Sequence, residues 1–174
     1  MADPGSELNG CFPELGGFVV LDLQRLEAEL PGAEGSDLFA MFGAGAVGDR
    51  VTSAGIAVPI LGVSIGYYTI VLRDSRSRPR WRNPVCSSHG WVVGTQTGEL
   101  LVTGAGYLTE WNQRHDQHRA VTVPPGWYRL TITGYLLEPD SDDDYGLDLE
   151  LTRAATPPPF TADLTRLFSF EEPR

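Results

Sequence analysis

The sequence predicts an all-β fold: a two-sheet β-sandwich with one or two short helices and signs of two related halves. Three observations point there. The segment "YGLDLELTR" alternates strictly, with Leu147, Leu149 and Leu151 on one face and Asp148, Glu150 and Thr152 on the other, which is the period of a half-buried strand. Short runs of β-branched and aromatic residues recur between Gly and Pro turn signals from Gly43 onward, a spacing typical of sandwiches. The 174 residues are 41% hydrophobic and 21% charged, enough for one domain with its own core.

Taken in order, residues 1–16 read as a loose leader and "GGFVVLDLQRL" opens with a first strand at Phe18–Val20. "LQRLEAELPG" suits a helical turn ended by Pro31 and Gly32, and "SDLFAMFG" a second, capped by Ser36 or Asp37 and stopped at Gly43. "RVTSAGIAVPILGV" is read as β-type sequence, and "GYYTIVLRD" as a strand turning Tyr68, Ile70 and Leu72 one way. "SRSRPRWRNP" is a polar loop, and "HGWVVGTQTGELLVTG" reads as a hairpin turning near Thr97 and Gly98. A short strand, the turn Pro124-Pro125-Gly126 and a long strand lead into the last hairpin. Residues 154–174 are expected to be a tail, extended through its proline run, with a short amphipathic turn around Leu164, Leu167 and Phe168.

Weak self-similarity supports two halves. "GAG" recurs from Gly43 to Gly104, "VP" from Val58 to Val123, and "GYYTIVL" at Gly66 resembles "GWYRLTI" at Gly126, at offsets of 61, 65 and 60 residues. Such units would form facing halves of a sandwich.

The net charge is -10, from 23 acids and 13 bases, and seven of the acids lie between Glu138 and Glu150. Without those seven the balance is 16 against 13, or -3. This imbalance disfavours nucleic acid or an anionic membrane as partner and suits a basic protein or a cation. All 13 bases are arginine, the signature of a GC-rich bacterial genome. The opening "MADPGSELNG" lacks the basic and apolar regions of a signal peptide, and no stretch approaches the roughly 20 apolar residues of a membrane helix. A cytoplasmic location with Cys11 and Cys86 reduced is expected.

"DSDDDYG" sets Asp140, Asp142 and Asp144 at alternate positions, like the start of an EF-hand loop. The glycine falls one place late, Leu151 stands where a bidentate carboxylate is required, and the flanks are strands. A calcium loop of another kind, a solvated turn that discourages edge pairing, and a docking surface for a basic protein remain as readings. A solvated turn needs only one or two acids, so the excess favours function. Arg73, Arg76, Arg78, Arg80 and Arg82, with Trp81 among them, are read as solvated or paired with the chain's own acids in preference to a nucleic-acid contact. His115 and His118, alone or with Cys86 and His89, form only a partial zinc set. They carry the alternative of a metal-dependent enzyme. "GAGAVG" lacks the strand before it and the helix after it that a dinucleotide site needs. Trp91, Trp111 and Trp127, with the paired tyrosines Tyr67 and Tyr68, carry the alternative of a sugar-binding face.

The segment "VTVPPGWYRLTITGYLLEPDSDDDYGLDLELTR" is similar to the C-terminal part of a bacterial group of small β-sandwich proteins, the competence-type nuclease inhibitors and related toxin-immunity proteins. The shared pattern is a Pro-Gly turn (Pro125, Gly126), an aromatic-led strand (Trp127, Tyr128, Leu130, Ile132), an acidic turn (Asp142 to Asp144) and a final alternating strand (Leu147, Leu149). The resemblance implies a non-catalytic inhibitor without cofactor or metal, presenting acids to a basic toxin or nuclease. The expected partner-binding residues are Asp140, Asp142, Asp143, Asp144, Asp148 and Glu150, with Tyr135, Tyr145 or Trp127 as the apolar anchor. Asparagine at Asp142, Asp143 and Asp144 is expected to leave the fold intact.

Overall fold

The computed structural model describes residues 6–170. Nine strands form two sheets, as the alternation requires: β1 (Ser6–Cys11), β2 (Gly17–Leu21), β3 (Ala57–Leu61), β4 (Tyr68–Asp74), β5 (Cys86–Thr95), β6 (Glu99–Gly104), β7 (Arg119–Thr122), β8 (Gly126–Leu136) and β9 (Tyr145–Ala154). Three helices, α1 (Leu23–Glu29), α2 (Leu38–Gly43) and α3 (Ala46–Ser53), lie between β2 and β3. The five-stranded sheet has the order β1-β4-β9-β8-β5 and the four-stranded sheet β3-β2-β6-β7. Among the described residues no helix is long and apolar enough to cross a membrane.

Apolar residues of both sheets meet in the main core, which includes Phe18, Ile60, Tyr68, Ile70, Trp91, Leu130, Leu147 and Leu149. A second core forms where the other face of the four-stranded sheet meets the helices, through Val19, Leu21, Leu26, Leu38, Val51, Leu101 and Trp111. Two helix starts follow the expected capping chemistry. Asp22 accepts a bond from the Arg25 amide and Asp37 from the Ala40 amide. Helix α3 corrects the β reading of residues 46–53. Its "AVGDRVTS" has weak helix propensity, and packing overrides it: a Cβ at Gly48 would stand 1.9 Å from the Phe42 carbonyl oxygen, so only glycine lets α3 approach α2.

The other corrections are long-range. The leader reading fails at β1, which pairs with β4 and buries Leu8 and Cys11. The two segments read as a hairpin around Thr97-Gly98 are an arch, since β5 and β6 belong to different sheets. The tail is structural as far as Phe170; residues 1–5 of the leader reading and 171–174 of the tail reading lie outside the described residues. The Thr161 amide donates to the Gly90 carbonyl and the Phe168 amide to the Leu61 carbonyl, which brings Phe168 and Phe170 into the main core.

The halves noted in sequence have a topological counterpart. Replacing β1, β2, β3 and β4 by β5, β6, β7 and β8 reverses each sheet order onto itself, with β9 inserted between β4 and β8. Each half also carries the same corner. Tyr68 donates its hydroxyl to the Ser64 carbonyl and Tyr128 to the Pro124 carbonyl, each four residues back. The halves do not face one another. Each contributes two strands to each sheet, so they lie side by side.

Because Phe168 seals the main core, Phe168→Ala should cost about 3–5 kcal/mol, the usual range for emptying a buried aromatic site. The check is a lowered urea midpoint with unchanged slope.

Candidate functional site

The acidic turn joins β8 to β9, an antiparallel pair in register from Trp127–Ala154 to Leu136–Tyr145. Within the turn the Ser141 amide donates to the Glu138 carbonyl, and the Leu137 amide to the Asp144 carbonyl. Asp143 is 8% exposed. Its Oδ2 accepts from the Gly10 amide at 3.0 Å and the Thr69 hydroxyl at 2.7 Å, tying the turn to β1 and β4. Asp144 Oδ2 accepts from the Tyr67 amide at 2.9 Å, while the Tyr67 carbonyl receives the amides of Asp144 and Tyr145. The turn is thus bonded to the β3–β4 loop in both directions.

The seven acids divide by role. Glu138, Asp140 and Asp142 are exposed, and no described residue forms an ion pair with them. Asp143 and Asp144 anchor backbone. Asp148, 1% exposed, receives Arg73 Nε at 2.8 Å, and Glu150 receives Arg73 Nη2 at 2.6 Å. Burial pushes the Asp148 carboxyl up, against the pull of the Arg73 guanidinium. Asp148 is therefore no contact for a partner, and Glu150 is engaged from within.

The polar face of β9 is covered because the arginine loop folds back over it. Trp81 stacks on Gly146, where a Cβ would meet its ring at 2.9 Å, and lies beside Tyr135 with centroids 5.4 Å apart. Arg80 pairs with Glu7 and Arg76 with Asp74, so the self-paired reading of this loop holds for these residues.

The three proposed aromatic anchors are engaged by the chain itself. Tyr135 is buried, Tyr145 packs against Tyr68 and Phe170, and Trp127 lies under the Arg25 guanidinium at 4.5 Å. Of the exposed apolar side chains, Leu136 ends β8 next to the turn, Ile65 and Tyr67 lie on the β3–β4 loop bonded to it, and Phe12 packs on Tyr67. Alternation along β4 puts Tyr67 on the face opposite Tyr68, Ile70 and Leu72, but Thr69, Val71 and Arg73 on that face are buried, so its exposure comes from its place in the loop before the strand.

The alternatives fare differently. Trp91 and Trp111 are core residues, which removes them from any sugar-binding face. Among the described residues no three His, Cys, Asp or Glu side chains gather as metal ligands. His118 is held by Thr103 Oγ1 and the Asn112 carbonyl, both at 2.8 Å, and stacks on Trp111. His115 Nδ1 accepts from the Gln117 amide. Both cysteines are free. Burial pushes the Cys11 thiol up to about 11 and also raises Cys86, which disfavours the thiolate a nucleophile requires.

No protein-family model and no curated protein matches the chain. Two solved structures are similar in fold. ComJ, inhibitor of the DNA degrading activity of NucA, from Bacillus subtilis, has a TM-score of 0.49 and 12% identity over 88% of this chain and 98% of its own. The crocagin biosynthetic gene J product has a TM-score of 0.48 and 17% identity over 86% and 98%. At these scores neither neighbour carries a functional argument.

Two outcomes follow from the site geometry. Asp143→Ala should cost about 1–3 kcal/mol by stranding the Gly10 amide and leaving the Thr69 hydroxyl only the Asn9 side-chain oxygen; Asp143→Asn, which keeps an acceptor, should cost less, and Asp140→Asn almost nothing, all read from urea midpoints. Two of the three aspartates accept backbone amides, so asparagine at Asp143 and Asp144 should loosen the loop and offset the gain from relieved repulsion, while the fold stays intact. The second outcome concerns pH. Burial lowers the pKa of His118, so the unfolded chain binds the proton first. Its contribution to stability is present above about pH 6.5 and is lost as pH falls from there through the lower native value. The melting temperature of His118→Asn should fall less over that interval than that of the unaltered protein.

Proposed function

We propose that the protein is a non-catalytic binding protein of the inhibitor or immunity type, which presents its acidic turn to a basic protein such as a nuclease or toxin. The observation that carries this reading is the division of the acids: Asp143 and Asp144 fix the turn, while Glu138, Asp140 and Asp142 project from it without ion partners among the described residues.

The physical case is preorganisation. A flexible acidic loop would lose conformational entropy on binding, about 1–2 kcal/mol per backbone residue fixed. Here much of that ordering is complete before a partner arrives. Nuclease clefts are positive because they hold phosphates. Closely spaced carboxylates on a stiff turn match such a cleft, steer the encounter and speed association. DNA and anionic membranes are repelled by the same field. The engaged histidines and elevated thiols also support a role without catalysis.

The test replaces only the projecting acids. Glu138→Gln, Asp140→Asn and Asp142→Asn together should leave the urea midpoint unchanged or slightly raised, through relief of repulsion. The variant should associate more slowly with a cationic DNA-degrading nuclease fraction of the source cell, most clearly at low salt. Equal association rates for variant and unaltered protein at low salt would refute the proposal.

A further inference from the structure

Beside the turn lies a group of exposed apolar side chains that the fold does not use. Ile65 is 82% exposed, Tyr67 53% and Leu15 62%. Phe12 sits edge-on to Tyr67 with centroids 5.5 Å apart. Phe12 and Tyr67 touch there, and Leu15 and Ile65 stand exposed on the same two loops, a concentration of apolar surface that free monomers keep small.

The patch and the turn are one surface. The β3–β4 loop that carries Ile65 and Tyr67 is bonded to the acidic turn through Asp144. It is bonded to the β1–β2 loop through the amides of Gly62 and Val63, which both donate to the Gly16 carbonyl. That second loop carries Phe12 and Leu15, and Leu15 has a φ of 52°. A leucine held in the left-handed region costs about 1–2 kcal/mol. In return its side chain goes to solvent, where it does nothing for the core. Strain of this kind collects at functional surfaces.

We infer that Phe12, Leu15, Ile65 and Tyr67 are the apolar anchor of the acidic surface, and that its partner is a folded protein with an apolar socket beside a basic patch. This inference rests on the function proposed above and adds what that function lacks, since charge sets the encounter and desolvated apolar contacts set residence. Charge decides the occupant. A second copy of this chain would bring Glu138, Asp140 and Asp142 against their own equivalents, and nucleic acid would be repelled. A basic protein meets both the acids and the apolar group.

The experiment uses Ile65→Ser, Tyr67→Ala and the projecting-acid triple in the full chain. The probe is the DNA-degrading nuclease fraction of the source cell that adsorbs to a cation exchanger. Ile65 and Tyr67 are exposed, so both single variants should keep the urea midpoint of the unaltered protein. Each should dissociate at least roughly tenfold faster, with association rate and salt dependence unchanged. The triple variant should instead lose association rate and salt dependence. Dissociation unchanged in both apolar variants, with the triple still slow to associate, overturns the anchor and leaves the acidic function standing. Failure of the unaltered protein to bind the fraction overturns both.

Discussion

The buried carboxylate of Asp143 is the contact on which this end of the molecule depends. One oxygen receives both the Gly10 amide and the Thr69 hydroxyl, so a single side chain joins β1, β4 and the β8–β9 turn. Hydrogen bonds to a charged group are worth more than neutral ones, about 1.5–3 kcal/mol each. They also fix direction. With Asp143 pointing inward and Asp144 engaged with Tyr67, the neighbouring Asp142 is left pointing outward. The turn concentrates charge because part of its charge is used to hold it still.

The remaining acids follow the same logic on the face of the five-stranded sheet. Arg73 satisfies Asp148 and Glu150 and donates Nη1 to the Ser77 carbonyl, so the arginine loop is drawn over β9. This buries Asp148 and neutralises Glu150 from within, leaving Glu138, Asp140, Asp142 and Asp144 as the exposed acids of the segment. Arg76 and Arg153 lie toward the opposite end of β9. A strand of ten residues spans about 33 Å, several times the Debye length of about 8 Å at physiological salt. The arginines of that end therefore do not neutralise the turn.

What was legible in the sequence was local. The Leu147-Leu149-Leu151 alternation fixed the last strand, and the caps at Asp22 and Asp37 belong to the two helices that were read. What was not legible depended on distant partners. Strand β1 looks like a leader until β4 pairs with it, and α3 needs Phe42 against Gly48. The tail needs a core for Phe168 to enter. For the site, the sequence located the acidic turn but could not sort its acids. Asp148 and Asp142 are equivalent in composition, and only a guanidinium 75 residues away distinguishes them. Tyr135 and Tyr145 are nearest the acids in sequence but pack against Trp81, Tyr68 and Phe170, whereas the exposed Ile65 and Tyr67 come from an earlier loop that only the folded chain brings to the turn.

The odd strand explains why only one end of a nearly symmetric molecule is equipped in this way. The two halves place their tyrosine corners at opposite ends, Tyr68 beside Tyr145 and Tyr128 beside Arg153. Strand β9 has no counterpart. It runs parallel to β4 and antiparallel to β8, so the turn that leads into it must fall at the Tyr68 end. There it meets the β3–β4 loop of the first half, and Asp144 finds the Tyr67 amide. At the other end the Tyr128 corner faces the end of β9 and the Asp74–Ser77 turn, where Asp74 is paired with Arg76 and no run of acids collects. Inserting one strand on the pseudo-axis thus completes the sheet and also breaks the equivalence of the two ends, placing acids and apolar side chains together at one of them.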